Sequence, residues 1–338
     1  MKGSEKKLFL QGNEAIVQGA LQAGLGFFAG YPITPASEVM HTLVKTKIPF
    51  LQAEDEIASI MSLYGASLAG AKAMTATSGP GFCLMQEGIG FGHRTELPIV
   101  IVNVQRVGPG TGMPTRAAQG DILQACFGAG GDYYPIVFYP NSAQELYEYT
   151  IHSFNAAEES YSPVILLSDA YISHGFEQVI LKNIPIKNRK EDLLKREYQH
   201  VTSLIAEEGI VKTTDRLAYR RINKKLKEKQ ISTAKNYEFY EYIENKNSDT
   251  LVISFGALSI AMYSFKDKFS LFRPIRIFPL LDAIKKIASK HKKIIVAEMN
   301  EGQYALLLEA FLKRDIEKVS ITGGEIRLAE LREALKIK

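Results

Sequence analysis

The chain has 338 residues, 46% hydrophobic and 23% charged, and a net charge of +4. That length exceeds one ordinary domain and suits two, each with its own core, and the composition is that of a globular protein. No apolar run reaches the roughly 18 residues that would span a bilayer; the apolar stretch in the basic start MKGSEKKLFLQG is too short for a signal peptide, so a cytoplasmic location is expected.

Between Gly12 and His174 short β-branched or aromatic runs alternate with helical patterns. Asn13 to Ala23 reads as a helix, Gly26 to Gly30 as a strand, Thr34 to Val44 as a helix and Pro49 to Ala53 as a strand. Asp55 to Ala69 is a second helix, Lys72 to Thr77 a strand and Gly81 to Thr95 a helix. Pro98 to Val104 is almost continuously apolar, as a strand buried on both faces requires. Tyr134 to Phe138 and Val164 to Leu167 read as further strands, with Ser142 and Glu145 forming a capping box for the helix between them. Strand and helix alternating this often predict an α/β fold, a parallel sheet wrapped by helices.

After Gly175 the pattern weakens. Residues 176–245 read as an irregular linker followed by a basic helix. Between Lys212 and Lys229 eight basic residues face two acidic ones, which leaves about −2 for the rest of the chain. Ala218, Ile222 and Leu226 form an apolar stripe there, so a solvated helix face is expected. A single aromatic residue, Tyr219, falls among the basic ones, fewer than a single-strand nucleic-acid binder would want, and no nucleic-acid partner is expected. Order returns at Leu251, with strands at Leu251 and at Lys293 to Ala297 and a helix from Gly302 to Leu312. The expected division is 1–175, a linker of 176–245, and a smaller α/β unit of 246–338.

Open parallel sheets bind ligands at the carboxyl ends of their strands. Four segments fall at such ends: Tyr31 to Pro35, Glu54 to Glu56, Thr77 to Gly81 and Arg106 to Arg116. Thr34 before Pro35 has the form of a helix N-cap with proline at the first helical position, which needs no ligand to explain it. Glu56 falls in a first helical turn, where a carboxylate suits the helix dipole. Buried beside Glu54 and Asp55, it would also have a raised pKa suited to proton traffic. The two glycines of 77–81 serve a tight turn or a ligand contact equally well. Gly108, Gly110 and Gly112 lack dinucleotide-fingerprint spacing. Arg106 is placed either to clamp a carboxylate through two parallel hydrogen bonds or to hold its loop in an ion pair, with Asp121 the candidate partner. Cys83 and Cys126 are too few for an iron–sulfur cluster, which needs about four thiolates, and no histidine has a partner at metal-ligand spacing, so no metal site is expected on this chain.

Taken together, YPITP at 31–35, EDEIA at 54–58, the helix ending Tyr64 to Gly70 and ATSGPGF at 76–82 resemble the alpha subunits of 2-oxoacid:ferredoxin oxidoreductases. NVQRVGPGTGMPTRAAQGD at 103–121 is most similar to the 2-oxoglutarate branch. AEMNEGQ at 297–303 is similar to a turn of that family's transketolase-C-terminal-like domain, and RRINKKLKEK at 220–229 to the helix before it. The likeness is dense over 10–175 and looser over 216–338.

The resemblance implies that this chain is the aminopyrimidine-binding half of a thiamine diphosphate site. Tyr31, Pro32, Ile33, Ser78 and Gly79 would line the cofactor. Glu56 would hydrogen-bond N1′ of the aminopyrimidine, favouring the imino tautomer that removes the C2 proton; Glu54 is the alternative carboxylate. Thr34 would touch the substrate near C2, Arg106 would bind its 1-carboxylate, and Thr111 and Arg116 would meet the distal end of the substrate or coenzyme A. Magnesium and the iron–sulfur cluster would lie on a beta subunit, in an (alpha-beta)2 heterotetramer that passes electrons to ferredoxin. Two departures bear on coenzyme A: the shortness of 176–245, and IRIFPL at 275–280, a degraded Pro-Phe-Pro turn. The competing readings are the same chemistry on pyruvate, branched-chain or aryl 2-oxoacids, and a non-catalytic subunit that kept the fold.

Overall fold

The structure, a computed structural model, describes residues 6–195 and 202–337; residues 1–5, part of the basic start, and 196–201, part of the expected linker, lie outside it. The first half runs β1 (Lys7–Gln11), α1 (Gly12–Ala23), β2 (Phe27–Gly30), α2 (Ser37–Leu43), β3 (Phe50–Gln52), α3 (Glu56–Leu68), β4 (Ala73–Thr77), α4 (Gly79–Leu84), α5 (Gln86–Thr95), β5 (Val100–Gln105), α6 (Ile122–Phe127), β6 (Ile136–Phe138), α7 (Ala143–Ser160), β7 (Val164–Asp169), α8 (Ala170–His174) and β8 (Phe176–Ile180). The second half runs β9 (Ala206–Glu207), β10 (Ile210–Val211), α9 (Arg216–Lys235), β11 (Tyr240–Ile243), β12 (Thr250–Ile253), α10 (Gly256–Met262), β13 (Ser270–Pro274), β14 (Arg276–Phe278), α11 (Ala283–Ala288), β15 (Lys293–Glu298), α12 (Gln303–Leu312), β16 (Glu317–Ser320) and α13 (Leu328–Ala334).

The expected α/β architecture is present. A seven-stranded sheet has the order β14-β6-β7-β5-β4-β2-β3, parallel except at the β14 edge. A five-stranded sheet has the order β11-β13-β12-β15-β16, parallel except at β11. β5, β6 and β7 are buried along their whole length, which is why their sequences are nearly uninterrupted apolar runs.

Several local expectations are corrected. Helix α2 begins at Ser37, not at Thr34, because residues 33–36 close a turn of their own through Ala36 N–H to the Ile33 carbonyl at 2.9 Å. The Pro35 carbonyl is occupied by the Asn13 amide at 2.9 Å; Thr34 is therefore not an N-cap. The helix expected over Gly81 to Thr95 is two, α4 and α5, meeting at Met85, whose ψ of −9° turns the chain. The Ser142 capping box is half made: the Ser142 hydroxyl accepts from Glu145 N–H, but the Glu145 carboxylate accepts from Asn141 N–H and pairs with Arg273. The described part of segment 176–245 is more ordered than expected. β8 pairs antiparallel with β1, an alternation too short and too exposed to stand out, and β11 is the edge strand of the second sheet. In the other direction, β14 leaves the second half of the chain to close the first sheet.

Helix α9 is the expected solvated basic helix. Ala218 and Leu226 are buried, Arg221 pairs with Glu207 at 2.7 Å, Lys229 with Glu96, and Lys227 lies 4.9 Å from the Tyr134 ring centroid. No helix among the described residues is long and apolar enough to cross a membrane.

The two sheets are joined by buried polar contacts. Gln119 donates its backbone N–H to the Met299 carbonyl at 3.1 Å and accepts from Met299 N–H at 2.8 Å; the Asn300 amide donates to the Gln119 carbonyl at 2.7 Å. Asp169, at the end of β7, accepts from the Tyr139 hydroxyl at 2.8 Å and from Ala257 N–H at 3.1 Å.

Candidate active site

Strands β5, β4, β2 and β3 are consecutive neighbours in the first sheet, all parallel. The four singled-out segments follow these four strands, so the fold brings them to one edge, the carboxyl ends of the sheet.

Glu56 opens helix α3 and is 4% exposed, whereas Glu54 is exposed and Asp55 is spent as the N-cap, its carboxylate accepting from Ala58 N–H at 2.7 Å. The three adjacent carboxylates therefore have three different environments. Burial raises the Glu56 carboxyl above its ordinary 4.5 and the Asp55 charge adds to this, while the Glu56 backbone N–H and the Thr77 hydroxyl pull the other way. Gly81 is needed to leave the carboxyl its place: a Cβ there would stand 2.2 Å from both Glu56 Oε1 and Thr77 Oγ1.

Tyr31, Pro32 and Thr34 are exposed on the rim and Ile33 is half-buried. Ser78 is fully buried and its hydroxyl has no partner among the described residues; Gly79 begins α4. Arg106, 8% exposed, donates from Nη1 to the Thr34 carbonyl at 2.6 Å, and its Nε is buried without a partner among the described residues. It makes no ion pair with Asp121 within 4.0 Å, although the Asp121 charge favours the guanidinium against the burial that lowers its pKa. The loop that follows turns back through Met113 N–H to the Val107 carbonyl at 2.8 Å and Val107 N–H to the Arg116 carbonyl at 3.0 Å. Thr111 is exposed on that loop. The Arg116 side chain turns to the second sheet's side, pairing with Glu325 at 3.2 Å. Arg116 also lines a cleft of about 520 Å³ with Tyr171 and His174. A larger cleft, about 940 Å³, lies against α9, and neither contains Glu56 or Thr34.

Asn103 and Gln105 were passed over in the sequence because they sit inside an apolar run. Two polar residues at i and i+2 on a strand buried on both faces are a usable signal, since each needs a partner. Both meet Asp121: Asn103 Nδ2 donates to Oδ2 at 2.9 Å and Gln105 Oε1 accepts from Asp121 N–H at 2.9 Å.

An aminopyrimidine carries ring nitrogens and an exocyclic amine. A buried carboxyl of raised pKa at the rim, with the Ser78 hydroxyl, unpartnered among the described residues, immediately after β4, fits such a ring. Among the described residues no group of three or more His, Cys, Asp or Glu side chains is placed to hold a metal ion.

The family described as pyruvate flavodoxin/ferredoxin oxidoreductase, thiamine diphosphate-binding, matches residues 18–243. The 2-oxoglutarate synthase subunit KorA of Methanocaldococcus jannaschii is 39% identical, covering 97% of this chain and 98% of that protein; its counterpart in Archaeoglobus fulgidus is 38% identical with the same coverage. The ketoisovalerate oxidoreductase subunit VorB of Methanothermobacter marburgensis is 36% identical, covering 97% of this chain and 96% of that one. Among solved structures, the 2-oxoglutarate:ferredoxin oxidoreductase from Magnetococcus marinus, with 2-oxoglutarate, coenzyme A and succinyl-CoA bound, superposes with a TM-score of 0.90 at 30% identity. That match covers 98% of this chain and 65% of the other, so this chain spans about two thirds of that protein's length. With its parallel sheet, its rim and these likenesses, the chain belongs to the pyruvate flavodoxin/ferredoxin oxidoreductase family of enzymes, through that family's thiamine-diphosphate-binding module.

Proposed function

We propose that this chain is the alpha subunit of a cytoplasmic 2-oxoacid:ferredoxin oxidoreductase that converts 2-oxoglutarate and coenzyme A to acyl-CoA, CO2 and reduced ferredoxin. The observation that carries the reading is Glu56, a buried carboxyl of raised pKa heading α3, on the same rim as the linked pair Thr34 and Arg106. Thiamine diphosphate, when bound, supplies the nucleophilic carbon that adds to the 2-keto carbonyl and accepts the electrons left by decarboxylation.

This chain's residues do the rest of what happens on this side. Glu56 exchanges a proton with the aminopyrimidine ring nitrogen, and burial, by raising its pKa, favours the protonated carboxyl. Tyr31, Pro32, Ile33, Ser78 and Gly79 shape the cofactor's seat. Arg106 keeps donors free beyond the one given to Thr34, and these bind the 1-carboxylate of the substrate. The same hydrogen bond holds Thr34 beside the reacting carbon. Thr111 and Arg116 belong with the distal substrate end or coenzyme A. Residues 1–175 act as the pyrimidine-binding part and 246–338 as the transketolase-C-terminal-like part.

The diphosphate, magnesium and an iron–sulfur cluster are assigned to a beta subunit in an (alpha-beta)2 assembly. The supporting observation is that two cysteines, one of them buried with its thiol pushed far up by burial, fall short of the about four thiolates of a cluster. A second reading, the same chemistry on a branched-chain 2-oxoacid, is favoured by the likeness to the ketoisovalerate subunit. The test is to assay the complex with its beta partner, with coenzyme A and viologen reduction, across 2-oxoacids. We expect 2-oxoglutarate to exceed 2-oxoisovalerate in kcat/KM by at least about tenfold, the worth of one charge-assisted contact to its second carboxylate. The reverse ratio selects the branched-chain reading, and turnover by this chain alone sinks the divided site.

A further inference from the structure

Asn13 is the second residue of α1 and is fully buried, beside the apolar core residues Ala15, Ile16 and Val17. A buried amide needs partners, and those of Asn13 lie in the segment after β2. Its Nδ2 donates to the Pro35 carbonyl at 2.9 Å and to the Glu38 carboxylate at 3.1 Å. Two acceptors at one end fix the orientation of the amide, because its own oxygen there would oppose a carbonyl and a carboxylate. The helix start that carries Asn13 is pinned in turn. Gly12 N–H donates to the Gly175 carbonyl at 3.0 Å, and a Cβ on Gly12 would stand 2.3 Å from the Ile172 carbonyl oxygen.

The residue before Pro35 is Thr34, whose side chain is exposed on the rim and makes no hydrogen bond among the described residues. The backbone alone therefore decides where that side chain stands. Two successive carbonyls hold it: Thr34's own accepts from Arg106 at 2.6 Å, and Pro35's accepts from Asn13. We propose that Asn13 is a positioning residue for Thr34: its amide, keyed by Glu38, anchors the Pro35 carbonyl from beneath and so sets the Thr34 side chain against the reacting carbon. The proposal rests on the reading of Thr34 given above. Being fully buried, Asn13 meets neither substrate nor cofactor and acts through the Thr34 backbone.

The experiment uses the assembled complex and compares Asn13→Ala, Thr34→Ala and the double variant by the single-turnover rate of CO2 release. Asn13→Ala should slow that rate by about tenfold, because losing one hydrogen bond lets the reacting geometry drift. KM for the 2-oxoacid should stay within about twofold, with thiamine diphosphate affinity unchanged, since Arg106 and the cofactor's seat are left in place. On the Thr34→Ala background Asn13→Ala should add less than about twofold, because residues acting through one another are not additive. A lowered Tm with an unchanged rate, a raised KM in place of a slowed rate, or losses that multiply in the double variant overturns the proposal. If Asn13→Ala fails to assemble, Glu38→Ala, at a half-buried position, frees the amide to turn and should slow the rate by more than about twofold. An unchanged rate there also overturns it. Thr34→Ala leaving the rate unchanged would instead sink the reading on which the proposal stands.

Discussion

The Arg106 guanidinium donates to the Thr34 carbonyl at 2.6 Å, across 72 residues of sequence, and so ties the segment after β5 to the segment after β2. One hydrogen bond joins two residues proposed to meet the substrate. Arg106→Ala should raise KM for the 2-oxoacid and lower kcat/KM by at least about tenfold, leaving cofactor affinity intact. Arg106→Lys should recover little, because an ammonium cannot reach Thr34 and a carboxylate in two fixed directions. Steady-state kinetics with separate titration of thiamine diphosphate checks both.

Glu56→Gln keeps the volume of the side chain and removes its ionisable proton. Exchange of the thiamine C2 proton in the assembled complex should slow by roughly 10² to 10⁴, the ordinary share of a positioned acid or base. Glu54→Gln, at an exposed position, should change it little. Exchange followed by NMR after quenching decides which carboxylate acts.

The same substitution has an opposite effect on stability. Because burial raises the Glu56 pKa in the folded chain, the unfolded chain gives up that proton at lower pH, and ionisation of Glu56 opposes folding. Its contribution is therefore fullest below its ordinary 4.5 and is lost as pH rises through the raised value. Glu56→Gln should accordingly raise Tm at neutral pH, with the gain disappearing below about pH 4. Thermal unfolding of the complex at a series of pH values shows the sign.

Arg273 on β13 is 5% exposed and makes a bidentate pair with Glu145 of α7 at 2.7 and 2.8 Å, and a third contact to Glu241 of β11 at 3.0 Å. The cluster ties the second sheet to a helix of the first. Arg273→Ala should destabilise the protein by about 3–5 kcal/mol, because it strands Glu145 without its cation. Arg273→Met with Glu145→Leu should recover most of that loss, which denaturant unfolding measures.

Alternation of strands and helices was legible because strands buried on both faces and helices with one apolar face leave different periodicities in the residues themselves. The four motif segments could likewise be assigned to strand ends without coordinates. Their order in the sheet could not be read: that β5, β4, β2 and β3 are neighbours depends on crossovers and on packing across long stretches of chain. Nor was the choice among Glu54, Asp55 and Glu56 a local one. All three are consecutive carboxylates, and only the packing of Gly81 and Thr77 against α3 makes Glu56 the buried member of the set. Residues whose partners lie far away in sequence were the hardest to read. Asn103 and Gln105 read as minor interruptions of an apolar strand until Asp121 met them, and β14 gave no sign that it would cross to the other sheet. Local propensity and periodicity act over a few residues and are written in the chain. Desolvation, hydrogen-bond satisfaction and the pKa of a buried carboxyl depend on which distant segments close around it, and the tertiary fold decides those.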